Sequence, residues 1–224
     1  MKAVLLLIQI VSKSLALKKD RKRAGEYWKM ITIDKDNKQI TAAACVRCPD
    51  PFFQRGEDVL EKVGCCSYSP VFTLFEIKKM ADRDKNFFYE TIYKHPEAIV
   101  SSYSIKIEAE VNPAFEKVNT SSMLPMEKED TKLSYSTCQF FVSNQGCGLP
   151  SGYKTSVCRS FICCTVEESL SKERKEEMND WIFYIQEEVK AFNRSHEQKL
   201  KSKGWTLQEQ PSMVVDYLKS LPDM

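Results

Sequence analysis

Glycine and histidine are scarce in this chain of 224 residues, which contains 7 glycines and 2 histidines. So few glycines argue against a glycine-rich repeat or a low-complexity protein, and no internal repeat of fixed period is present. The sequence has no His-Glu-x-x-His zinc motif, no phosphate-binding glycine-rich loop and no Gly-x-Ser-x-Gly element. No catalytic residue is therefore predicted, and we interpret the chain as a binding protein more readily than as an enzyme.

A strong charge of one sign is also missing. The net charge is +2, from 33 basic and 31 acidic residues, so the composition gives no general signal for nucleic-acid binding. Five of the six residues from Lys18 to Arg23 are basic, which is the local exception. We interpret this run as the solvated face of a helix, the alternative being a patch for nucleic acid or anionic lipid.

No apolar run is long enough to span a bilayer. Ala3 to Val11 is the apolar stretch near the start, and its nine residues are well short of the ~20 that a membrane helix needs. We expect a core-packed helix over residues 3–30 and a cytoplasmic protein. The alternative is a short signal peptide that ends near Ala16, which would direct the protein to secretion.

What the sequence does contain is cysteine, nine residues in all, most of them in tight groups. Two of the groups contain adjacent cysteines, and neighbouring Cα atoms lie ~3.8 Å apart, whereas a relaxed disulfide needs roughly 4.4–6.8 Å. Each cysteine of an adjacent pair therefore needs a distant partner or a metal ion. The groups are Cys45 with Cys48, Cys65 with Cys66, and Cys158 with Cys163 and Cys164, while Cys138 and Cys147 lie just before the third.

Clustered thiolates are typical ligands of zinc, of ferrous iron and of iron–sulfur clusters. We therefore predict a metal site that holds zinc or iron, with an iron–sulfur cluster among the options. The predicted ligands are Cys45, Cys48, Cys65, Cys66, Cys138, Cys147, Cys158 and Cys163. Cys164 is the expected spare thiol. Four cations lie close to the cysteines in sequence: Arg47, Arg55, Lys154 and Arg159. They either compensate the negative charge of the thiolates or occupy ordinary surface positions.

The predicted fold is α+β: one mainly helical domain with a short antiparallel sheet and an irregular cysteine-rich metal-binding centre. We divide the chain into an N-terminal helix with a possible hairpin (1–40), a cysteine-cluster metal-binding region (41–165) and a C-terminal helical region that packs on the same domain (166–224). The apolar faces of the first and last regions predict that residues 3–30 and 166–203 pack together.

Local patterns predict the individual elements. Capping boxes at Thr73 and at Thr165 predict helices over 74–81 and 166–203. Alternating apolar residues predict strands over 101–111 and 133–142, and the polar segment between those strands reads as a long exposed loop. Further predictions are a hairpin within 31–40 and helices over 86–94 and 213–218. Both histidines, His95 and His196, are expected in solvent rather than in the metal site.

The cysteine segment from Cys45 to Cys164 resembles the YkgJ-type cysteine-cluster family, the zinc- or iron-chelating domain. Three of its elements carry the likeness: the double cysteine at Cys65, the Cys-aromatic segment from Cys138 to a Gly-Cys at Cys147, and the Cys-Arg-x-aromatic-x-Cys element that begins at Cys158. The resemblance implies a thiolate metal site. A related cluster in flagellin lysine methylases makes a protein lysine methylase-like enzyme a distant alternative. A second alternative, from the residues themselves, is an exported binding protein stapled by disulfides.

Overall fold

The structure is a computed structural model and describes residues 31–46, 48 and 53–223. The helix predicted over residues 3–30, and its packing against residues 166–203, lie outside the described residues.

The hairpin predicted within residues 31–40 is confirmed. β1 (Ile31–Asp34) pairs antiparallel with β2 (Gln39–Ala42), and Ile33 lies opposite Ile40. The turn is held by the Asp34 carboxylate, which accepts hydrogen bonds from the backbone N–H and from the side-chain amide of Asn37. β2 leads directly into a 3₁₀ turn, Ala43–Val46, that carries the first cysteine.

A three-stranded antiparallel sheet forms the centre of the fold. β3 (Val71–Thr73) and β4 (Ala98–Val100) flank β5 (Ser104–Ile107). The predicted strand over 101–111 is thus real but broken. At Ala109 the backbone N–H donates to the Ser69 hydroxyl instead of to a strand, and the chain resumes as β6 (Glu110–Val111) in another sheet.

The helix predicted after Thr73 is confirmed as α1 (Leu74–Arg83), and Glu76 closes its capping box. The next predicted helix, 86–94, has a different form: a short α2 (Lys85–Phe87) continues as a π-helix, Phe88–Tyr93. Its wider turn is marked by the backbone N–H of Lys94, which donates to the carbonyl of Tyr89.

The segment after β6 differs most from expectation. The predicted loop over 112–132 contains a 3₁₀ turn, Pro113–Lys117, and most of helix α3 (Pro125–Ser134). This helix begins where Glu127 accepts the backbone N–H of Leu124, and proline suits its first turn. Because most of its side chains are polar and none is buried, the sequence resembled a loop.

The strand predicted over 133–142 is therefore wrong as one element. The chain leaves α3 and forms two short strands, β7 (Ser136–Thr137) and β8 (Phe141–Val142). β7 pairs with β6, and β8 pairs with β9 (Gly146–Cys147) across the short turn between them.

Four helices complete the chain: α4 (Ser156–Ser160), α5 (Cys164–Glu168), α6 (Lys172–Lys203) and α7 (Pro211–Lys219). The capping box predicted at Thr165 is wrong, because Ser171 caps the long helix by accepting the backbone N–H of Arg174. The predicted helix over 166–203 is thus split after Glu168. Its end at Lys203, before Gly204, is confirmed, and so is a helix over 213–218.

The main core joins the sheet to α1, the π-helix and the C-terminal helices. Phe72, Ile77 and Ile105 are fully buried there together with Leu200 and Val214. A smaller core lies between the hairpin and the start of α6. The predicted α+β class, mainly helical with short antiparallel sheets, is confirmed. Within the described residues no helix is long and apolar enough to cross a membrane.

Candidate metal centre

Short turns and strand ends carry the predicted ligands. Cys65 and Cys66 lie in a 3₁₀ turn, Gly64–Ser67. Cys138 directly follows β7, and Cys158 lies within α4. The others have similar positions: Cys45 in the turn after β2, Cys48 shortly beyond it, Cys147 on β9 and Cys163 at the N-cap of α5.

Backbone contacts bring these turns together. The backbone N–H of Cys138 donates to the carbonyl of Cys66 at 2.6 Å, although 72 residues separate the two in sequence. Gly64 has φ +58°, and a Cβ at its position would lie 2.6 Å from the Sγ of Cys48. Cys48 therefore fits beside the double cysteine only because residue 64 has no side chain.

The thiols lie close enough together for the charge of one to shift the pKa of another. Burial raises the pKa of the Cys45 thiol, and the charges of Cys65, Cys163 and Cys48 raise it further. A hydrogen bond with the thiol of Cys66 is the largest cause that raises the pKa of Cys65, followed by burial and the charge of Cys66. A sulfur can influence another in this way only at short range.

The thiols of the second half of the chain, Cys138 and Cys158, also have a raised pKa. Burial raises the pKa of Cys138, to which the charges of Cys158, Cys147 and Cys65 also contribute. Burial likewise raises the pKa of Cys158, with contributions from Cys147 and Cys65. Cys65 thus influences thiols of both groups. All eight predicted ligands take part in these interactions, and Cys164 is not among the neighbours that cause them.

The surrounding protein atoms do not shield the thiols completely from solvent. The residues Cys45, Cys65 and Cys158 keep exposed surface, although burial shifts the pKa of each thiol. The thiols therefore remain open to solvent. An ion can reach them without unfolding of the chain.

In the described part of the chain, the thiols do not form a complete set of metal ligands. Within residues 31–46, 48 and 53–223, no three Cys, His, Asp or Glu side chains form a group that could hold a metal ion. The donor set nevertheless fits a thiophilic cation: several thiols lie close together, and the negative charge of each, once ionised, raises the pKa of its neighbours. A divalent ion in place of the thiol protons would remove that repulsion. Side-chain rotation would have to draw the sulfurs together.

Two residues that the sequence interpretation did not assign to the site position Cys158. The hydroxyl of Thr155 caps α4 by accepting the backbone N–H of Cys158 at 3.2 Å. Glu76 accepts the backbone N–H of Ser156 at 2.9 Å, so the capping glutamate of α1 also fixes the start of α4. The Thr-x-x-Cys spacing gave a signal for the first contact, but nothing local in the sequence indicates the second.

The cations near the cysteines differ in what they contact. Arg55 donates to the Ser136 carbonyl at 2.5 Å and to the Thr137 hydroxyl at 3.2 Å, and so holds the chain at β7, next to Cys138. The charge of Lys154 acts against the rise in the pKa of Cys158. Arg159 is fully buried and turns away from the surface. Arg47 lies outside the described residues.

The histidines have partners of their own. Nδ1 of His95 accepts the backbone N–H of Glu97 at 3.1 Å. Nδ1 of His196 lies 2.7 Å from the hydroxyl of Tyr217, and burial lowers the pKa of His196. His196 is thus half-buried against a neighbouring helix, whereas the sequence predicted a solvated side chain.

Comparisons with family models, with curated proteins and with solved structures give no match. The resemblance to the YkgJ-type family stays a prediction from the cysteine pattern.

Proposed function

We propose that this chain is a cytoplasmic metal-binding protein that coordinates zinc or iron through its clustered thiolates. The ligands would come from the eight cysteines already named, with Cys164 left over. The metal would serve structure or sensing. An iron–sulfur cluster is the second form that a site of this composition can take.

The observation that carries the proposal is the electrostatic contact of Cys65 with thiols from distant parts of the chain. Its charge raises the pKa of Cys45, Cys138 and Cys158. Apolar thiols scattered through a core would have no such neighbours. Repulsion among several potential thiolates is the situation that a bound cation relieves.

Two further features support it. Gly64 leaves the space that Cys48 occupies beside the double cysteine, and the hydrogen bond from Cys138 to Cys66 joins the first and second halves of the ligand set. A metal here would add a cross-link between these segments.

Metal analysis of the untagged full chain tests the proposal. Purification without added metal should yield at least about half an equivalent of zinc or iron per chain. An iron–sulfur cluster would add brown colour and visible absorption, which zinc does not. Substoichiometric metal together with thiols that all react freely with an alkylating agent would reject the proposal.

An exported, disulfide-stapled binding protein is the competing hypothesis, and a mass spectrum of the same sample distinguishes the two. An intact N-terminus with nine alkylatable thiols supports the cytoplasmic metal-binding protein. Loss of residues 1–16 and a mass that corresponds to four disulfides would support export instead.

A further inference from the structure

Arg159 is the largest fully buried side chain among the described residues. Its Nη1 donates to the backbone carbonyls of Lys38 at 3.0 Å and Asn37 at 3.4 Å, in the turn of the β1–β2 hairpin. The guanidinium carbon lies 5.4 Å from the centre of the Phe75 ring. One side of the guanidinium is therefore well satisfied.

The opposite edge of the guanidinium lacks such hydrogen bonds within the described part of the chain. Nε and Nη2 are buried and donate no hydrogen bond to any described residue. These two atoms form one edge of the guanidinium, the fork that binds a carboxylate or a phosphate through two parallel hydrogen bonds. The Glu76 carboxylate is 3.9 Å from Nη2, too far for a hydrogen bond, and its nearer oxygen already accepts from Ser156.

Two further cations lie on the face of α1 that approaches Arg159. Lys79 and Arg83 follow Phe75 at intervals of four residues, so all three share one face of the helix. The Nζ of Lys79 lies 5.9 Å from the same Phe75 ring that Arg159 contacts. The Nη1 of Arg83 lies 1.9 Å from the position of a Cβ on Gly152, and Asn37 Oδ1 lies 3.3 Å from that position.

The three cations differ in exposure: Arg83 is exposed, Lys79 is half-buried and Arg159 is buried. Burial and, after it, the positive charges of Arg159, Arg83 and Lys38 together lower the pKa of Lys79 to about 8, although Glu76 acts in the opposite direction. The positive charges of this group therefore repel one another, and water does not fully screen that repulsion.

Carboxylates face the same group but do not neutralise it. Glu188 pairs with Lys38, and its second oxygen is buried without a hydrogen bond to any residue that the structure describes. Asp34 is engaged by Asn37. Glu76 is engaged by Thr73 and Ser156. Among the described residues, no carboxylate is in direct contact with the Nε–Nη2 edge of Arg159.

We propose that the Nε–Nη2 edge of Arg159, together with Lys79 and Arg83, binds an oxyanion of the phosphate class. Arg159 supplies the bidentate contact, and Lys79 and Arg83 supply further positive charge. None of the ligating atoms of this site belongs to a cysteine, although Arg159 directly follows Cys158 in the chain.

The test is titration of the full chain with inorganic phosphate against chloride at matched ionic strength. Phosphate should raise the melting temperature saturably, because a ligand that binds only the folded state stabilises it. The Lys79→Met substitution should weaken phosphate binding by about tenfold, because it removes a half-buried positive charge from the site. Arg83→Gln should weaken it less, because its charge is screened by solvent. Lys128→Met, on the exposed face of α3, is the matched control and should bind as the wild type does.

The Lys79→Met chain should also melt at a higher temperature than the wild type when no phosphate is present, because it removes a cation from a repulsive group. Weak binding by this variant therefore cannot be ascribed to unfolding. If phosphate acts no differently from chloride, or if Lys79→Met and Lys128→Met bind phosphate equally, the proposal is wrong and water fills the space beside Arg159.

Glycerol phosphate separates the two sources of the anion. Tighter binding of this ester than of inorganic phosphate supports the site and assigns it to phosphate esters. Equal or weaker binding, with the Lys79→Met loss retained, supports the site and assigns it to the free ion.

Discussion

Glu76 accepts the backbone N–H of Ser156 at 2.9 Å, and this contact joins the start of α1 to the start of the helix that carries Cys158. The other carboxylate oxygen of Glu76 accepts the backbone N–H of Thr73 at 2.9 Å. One buried side chain therefore caps two helices that lie 80 residues apart in sequence.

Replacement of Glu76 by Gln should destabilise the protein by about 2–4 kcal/mol. An amide NH₂ would face a backbone N–H where a carboxylate oxygen now accepts, and Arg159 would lose its nearest negative charge. Urea denaturation measures the change. Glu90→Gln is the control: its pair with Lys94 is exposed, so its effect should stay within about 0.5 kcal/mol. Equal effects of the two substitutions would show that Glu76 has no special role.

Two glycines with positive φ provide a matched test of the space beside Cys48. Gly64 and Gly204 have φ +58° and +68°, but only at Gly64 would a Cβ meet other atoms, those of Cys48. Alanine should cost about 1–2 kcal/mol at either position for backbone strain alone. Gly64→Ala should cost clearly more than Gly204→Ala in urea denaturation, and it alone should lower the metal content. A metal content unchanged in Gly64→Ala would contradict the proposed participation of Cys48.

The proposed metal should stabilise the whole domain. We expect Cys65→Ser and Cys158→Ser to lower the melting temperature strongly, whereas Cys164→Ser should change it little. Chelation should lower the melting temperature of the wild type by more than about 10 °C, since several kcal/mol of binding energy would be lost at about 2–4 °C per kcal/mol. Differential scanning calorimetry measures both effects. If the demetallated protein melts with the loaded one, a transient role such as metal delivery or redox sensing becomes the better interpretation.

Lys79 should make stability depend on pH in the alkaline range. Its pKa is lowered from 10.5 to about 8 in the folded protein, so between these values the unfolded chain binds more protons. Stability contributed by this residue therefore rises with pH across that window. The Lys79→Met variant should exceed the wild type in unfolding free energy at pH 7, and the difference should shrink towards pH 10.5. A difference that is constant with pH would show that the lysine does not titrate with folding.

The sequence predicted elements well where a signal was local. The hairpin turn at Asp34 and Asn37, the capping box at Thr73 and the stop at Gly204 depend on residues a few positions apart, and all three are present. Prediction failed at α3, whose polar side chains carry no periodic apolar face, and at Thr165, where Ser171 is the actual cap.

The candidate site could likewise be predicted only where the signal in the sequence was local. Cysteine spacing selected a set of thiols that influence one another in the fold. The contact between Glu76 and Ser156 and the burial of Arg159 depend on tertiary packing across 80 residues and more. No pattern within either segment could have indicated them.

The hydrogen bond from Cys138 to Cys66 also has a consequence for biosynthesis. Translation at roughly 5–20 residues per second places an interval of about 4–14 s between the synthesis of Cys66 and that of Cys138. Throughout that interval the nascent chain presents only the first four thiols, and its partner segments do not yet exist. We expect the cell's metal buffering during those seconds, as much as the finished protein's affinity, to decide which ion the thiols first meet.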